Sequence, residues 1–196
     1  MRSISILLAV CLTTGCAATL PAPTPVPWEP GAQMVPQPVH VFLDATLSDS
    51  IQQQARQAVE EWNVALGGHL HLQVVSGIPL QAYTEEYSRQ HNDILILGVE
   101  FSHPMIQRAH VPGGNVSRVI AVTYPYGMAP GALIYLATDK VRYPHDTILH
   151  ELAHALGAED RDSNCLGGKV CLMSRTYSGI SYIDADAATQ VAHHFH

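Results

Sequence analysis

The stretch His150-Glu151-Leu152-Ala153-His154-Ala155-Leu156-Gly157-Ala158-Glu159-Asp160 limits the folds open to this 196-residue chain more than any other. Two histidines four residues apart come to one face on a helix, at 3.6 residues per turn. Ile148, Leu149, Leu152, Ala155 and Leu156 lie where such a helix would bury its apolar side, and Asp146 or Thr147 is the expected N-cap. Gly157 marks the stop, because glycine takes the left-handed conformation of a helix C-terminus without steric cost. The chain must therefore build a helix with one ligand-bearing face, end it sharply and swing back toward that face.

The chemistry follows from the residue types. In HExxH the two histidines hold a divalent metal, typically Zn²⁺, and the glutamate handles the proton of a metal-activated water. With 12 histidines in the chain, HExxH alone is a weak signal. Gly157 and Asp160 make it specific, since the turn at glycine delivers a carboxylate as third ligand. Glu159 and Asp162 are the alternative carboxylates within reach. Three protein ligands leave a fourth position for water, as in catalytic rather than structural sites. A carboxylate also cancels one of the ion's two charges, so water there should be acidified less than by an all-histidine set.

Ahead of this stretch, Val39 to Asp44 alternates and is rich in β-formers, predicting a first strand. Ile51, Ala55, Ala58, Val59, Trp62 and Leu66 then recur at helical spacing up to Gly67-Gly68, with Ser48, Asp49 or Ser50 as the cap. His69 to Val75, Asp93 to Val99, Arg118 to Tyr124 and Ala132 to Thr138 read as four further strands, and Ser102 to Ser117 as a loop carrying His103 and His110. A last helix is expected from near Asp184, packing through Ile183, Ala187 and Val191, with the closing His193, His194 and His196 at its frayed end. The fold class is α+β.

Seven prolines between Pro21 and Pro38 keep that segment extended, so it reads as a tether. Before it, Arg2 precedes an apolar run, Ile4 to Leu12, too short to span a bilayer, and then Thr13-Thr14-Gly15-Cys16. This start resembles a bacterial lipoprotein signal, which implies lipidation at Cys16, although Thr13 stands where leucine is usual and ordinary signal cleavage is the alternative. The expected division is a signal over 1–15, a tether over 16–38 and one domain over 39–196. Export makes a disulfide between Cys165 and Cys171 a candidate. A net charge of -7, with no basic block, argues against nucleic acid.

The motif HExxHxxGxxD, followed by Cys171-Leu172-Met173-Ser174, resembles the metzincin zinc metallopeptidases, and most closely their snapalysin-type members with aspartate as third ligand. The resemblance implies a twisted, mostly parallel mixed sheet with a long N-terminal helix, an active-site helix and a C-terminal helix. It implies one zinc on His150, His154 and Asp160, Glu151 as general base, Met173 as the structural methionine of the turn under the metal, and a peptide or protein as substrate. The clan's tyrosine commonly lies two residues past that methionine; Tyr177, four past Met173, is the candidate transition-state stabiliser here. In some metallopeptidases a loop before the motif holds a second metal, for which His103 and His110 are the candidates. The strand Ala132 to Thr138 is expected to pair with an extended peptide. The rivals are a zinc-binding lipoprotein without turnover and an amidase acting on cell-wall peptides. The expected location is the bacterial envelope, lipid-anchored through Cys16, with control by tethering or a regulatory partner protein.

Overall fold

The computed structural model describes residues 38–68, 70–78, 93–109, 121–125, 131–160, 172–173 and 183–194. They form a mixed α+β unit whose five strands are β1 (Val39–Asp44), β2 (Leu72–Ile78), β3 (Ile94–Val99), β4 (Ala121–Pro125) and β5 (Ala132–Ala137). Four helices occur among the described residues: α1 (Asp49–Ala65), α2 (Pro104–Arg108), α3 (Pro144–Ala155) and α4 (Ala185–His194). The strands run in the order β2-β1-β3-β5-β4, parallel except for β4, which pairs antiparallel with β5.

Side chains alternate across this sheet, and both faces are apolar, as parallel strands require. Val39, Val41, Leu43, Ile94, Ile96, Ala132, Ile134 and Leu136 point to the main core, where α1, α3 and α4 add their own apolar faces. Phe42, Leu95 and Leu133 form a smaller cluster on the opposite face. α1 starts where Ser48 accepts from the Ile51 N–H at 3.4 Å and buries Ala55, Ala58, Val59, Trp62 and Ala65. The indole of Trp62, fully buried, donates to the carbonyl of Leu149 in α3 at 3.1 Å. This bond satisfies a polar group that burial would otherwise penalise by about 1–3 kcal/mol, and it fixes α3 against α1 one residue before His150.

Several expectations shift. β2 begins at Leu72 rather than His69, and the side chain of Asn63 in α1 accounts for its start, accepting from the Leu72 N–H at 2.8 Å and donating to the Leu72 carbonyl at 3.0 Å. The expected loop from Ser102 contains the short helix α2, which His103 caps by accepting from the Met105 N–H at 3.3 Å. β5 is not an edge strand: β3 takes one side and β4 the other, so the expected pairing of a peptide with Ala132 to Thr138 is corrected. Among the described residues the end of the strand order on that side is β4. α4 lies where expected, with Asp184 capping it and Ile183, Ala187 and Val191 buried. No helix among the described residues is long and apolar enough to cross a membrane.

Candidate metal centre

α3 carries the site. It begins earlier than Asp146 or Thr147, with Tyr143 as N-cap and Pro144 at the first turn, where a fixed φ and a missing N–H cost nothing. Asp146 instead sits in the first turn, where its charge suits the helix dipole, and its carboxylate lies 3.0 Å from Nδ1 of His145. The other nitrogen of that ring, Nε2, meets Glu61 of α1 at 3.0 Å. The hydrogen bond to Glu61 raises the His145 pKa above its ordinary value; burial pulls the other way and Asp146 adds to the rise.

At its far end α3 closes in a Schellman turn. Gly157, at φ 97°, donates to the His154 carbonyl at 3.0 Å, and Ala158 donates to the Ala153 carbonyl at 2.9 Å. The turn has a chemical consequence, because the Ala158 carbonyl lies 2.9 Å from Nδ1 of His154 and fixes the ring. His150 is fixed in the same way by a different element: its Nδ1 meets the Leu172 carbonyl at 2.7 Å. With both Nδ1–H groups donating to carbonyls, both Nε2 atoms are left as ligands, the usual outer support of metal-binding histidines.

Those Nε2 atoms stand 3.2 Å apart, and the Asp160 carboxylate oxygen lies 3.5 Å from that of His150 and 3.4 Å from that of His154. Ligands at zinc bond lengths in a tetrahedron stand roughly 3.3–3.5 Å from one another. The group His150, His154 and Asp160 could therefore hold a metal ion, with Asp160 exposed and the two histidines part-buried. Burial works against charge on His154, yet the hydrogen bond to Asp160, the nearby charge of Glu151 and the Ala158 carbonyl outweigh it and lift its pKa to about 9. A proton and a metal compete for that nitrogen.

Of the carboxylates weighed as third ligand, Asp160 joins the histidines; Glu159 is exposed, outside the group, with its N–H donated to Gln190 of α4 at 3.1 Å. Asp162 lies outside the described residues. Glu151 is buried, and one oxygen of its carboxylate accepts from the Thr123 hydroxyl of β4 at 2.5 Å. Met173 is fully buried in the main core beside Leu172. Leu172 is anchored in turn, its N–H donating to Asp184 at 2.6 Å. Cys16, Cys165, Cys171, Tyr177 and His110 lie outside the described residues. His103 is occupied in capping α2 and stacks on Tyr135 at 5.3 Å, and among the described residues it belongs to no metal-holding group.

Thr123, Asp184 and the carbonyls of Leu172 and Ala158 are the supporting residues that the motif does not reveal. Backbone carbonyls carry no sequence signal, and Thr123 reads only as a β-former. Asp184 alone had one, as the acidic residue just ahead of a helix. In comparisons with known proteins, no family model matches the chain and no curated protein matches it.

Proposed function

We propose that this domain is a zinc-dependent endopeptidase of metzincin type, held in the bacterial envelope by a lipid on Cys16. The observation that carries the reading is the convergence of three ligand atoms at 3.2–3.5 Å, with the Glu151 carboxylate on the next residue of the same helix. A bound zinc would polarise the scissile carbonyl and acidify water. Glu151 would take the proton of that water and later return it to the leaving amine, so the carboxylate ends as it began. His150, His154 and Asp160 would keep one position open for these reactants.

β4 supports a peptide as substrate. Among the described residues it ends the strand order and packs against α3, and an extended chain pairing with it would run past Glu151, which Thr123 of that strand contacts. Site support by Met173, transition-state stabilisation by Tyr177 and a Cys165–Cys171 disulfide belong to the same reading. A pure binding protein needs the ligands but has no use for a buried glutamate beside them.

The test is an assay of the purified domain on casein, a peptide library and cell-wall fragments, with Glu151→Gln as control. Cleavage of casein or peptides that requires both zinc and Glu151 supports the endopeptidase; cleavage confined to wall fragments assigns an amidase instead. Activity that survives Glu151→Gln refutes both.

A further inference from the structure

The Thr123 hydroxyl has one proton and two acceptors in reach, Oε2 of Glu151 at 2.5 Å and the Glu151 backbone carbonyl at 3.1 Å. The charged, nearer acceptor forms the stronger bond. Among the described residues no hydrogen bond falls on the other carboxylate oxygen, Oε1. Thr123 pairs with Ile134 of β5, and directly opposed residues of antiparallel strands share a face. That face is apolar, with Ile134 and Leu136 fully buried and Ala121 nearly so. Valine would fill the same volume with the same strand preference, so packing alone does not call for a hydroxyl here.

We propose that Thr123 is the positioning residue of Glu151: by holding Oε2 it fixes the side chain so that Oε1 is the oxygen presented to the reacting water. The role in turnover rests on the peptidase reading above. Glutamate has three rotatable side-chain bonds, and fixing it before reaction removes an entropic cost from the proton transfer. The proton passes from water to Oε1 and from Oε1 to the amine nitrogen, while Thr123 keeps its own proton throughout. The anchor also lies in β4, the last strand of the sheet among the described residues, so the base is set relative to the strand along which a peptide would lie.

The experiment compares zinc-loaded wild type, Thr123→Val, Thr123→Ser, Glu151→Ala and the Thr123→Val/Glu151→Ala double variant, reading zinc content, kcat, KM and the urea unfolding midpoint. Thr123→Val should keep its zinc and its KM and lose about 10-fold or more in kcat, in line with other outer-sphere supports. Thr123→Ser should recover most of that loss. The midpoint of Thr123→Val should fall further in the wild-type background, where it strands a buried carboxylate, than in the Glu151→Ala background, where only the bond to the residue-151 backbone carbonyl is lost. An active Thr123→Val with wild-type kcat, or equal midpoint shifts in both backgrounds, overturns the inference. A wild type that hydrolyses nothing overturns instead the peptidase reading and the role in turnover; the two midpoint shifts then still decide whether Thr123 holds Glu151.

Discussion

His150 donates through Nδ1 to the Leu172 carbonyl at 2.7 Å, and the N–H of Leu172 in turn donates to Asp184 at 2.6 Å. One member of the group that could hold a metal ion is thus aimed by a segment 22 positions downstream, which is itself pinned to the residue that caps α4. Asp184 also accepts from the N–H groups of Asp186 and Ala187, both at 2.9 Å, so one carboxylate caps α4 and sets the height of Leu172.

Asp184→Ala should therefore act on two readouts at once. Loss of the cap costs about 1–2 kcal/mol of stability. Loss of the hold on Leu172 loosens His150 and lowers metal affinity about 10-fold, the lower end for outer-sphere supports. Thermal unfolding and zinc competition with a chelator measure the two separately. Asp184→Asn, which keeps a capping oxygen, should restore most of the stability.

Gly157 has a different task. At φ 97° any other residue is strained by roughly 1–2 kcal/mol, and the turn it permits places both the Ala158 carbonyl and Asp160. Gly157→Ala should lower the unfolding midpoint and weaken zinc binding together. A stability loss with unchanged zinc affinity would show that the turn does not position the ligands.

His145 joins α1 to α3 through Glu61 and Asp146 and should make stability depend on pH. Its folded pKa lies above the unfolded value near 6.5, chiefly through the hydrogen bond to Glu61. The stabilisation is then fully present below about 6.5 and is lost as pH rises through the folded pKa. In zinc-loaded protein, His145→Gln should flatten the decline of the urea midpoint above pH 6.5 relative to wild type.

The third ligand can be assigned by comparing alanine variants. Asp160→Ala should lose zinc, whereas Glu159→Ala and Asp162→Ala should retain it, because Asp160 is the carboxylate that meets both histidine nitrogens. Metal content after gel filtration reads the difference directly.

Local patterns made much of this legible in the sequence. Alternation located β1, short apolar runs located β3 and β5, helical spacing with a cap among Ser48 to Ser50 located α1, and the spacing of His150, His154, Gly157 and Asp160 brought together a group that could hold a metal ion. What sequence could not give was strand order. β5 and β4 are both short runs of β-forming residues, and only the pairing of β5 with β3 decides that β4 ends the sheet among the described residues. Sequence places the start of α3 too late because Asp146 and Thr147 are good caps in isolation, while Pro144 lets the helix begin three or four residues sooner. The supports of the site arise from carbonyls at 158 and 172 and from the register of Thr123, none of which has a local signature.

The most direct test is zinc stoichiometry and peptide hydrolysis measured on the same preparations of wild type and Glu151→Gln. The expected result is one zinc per chain in both proteins, with peptide cleavage by the wild type and a loss of at least about 100-fold in the variant. A wild type without zinc, or a variant that cleaves as fast as the wild type, would contradict it.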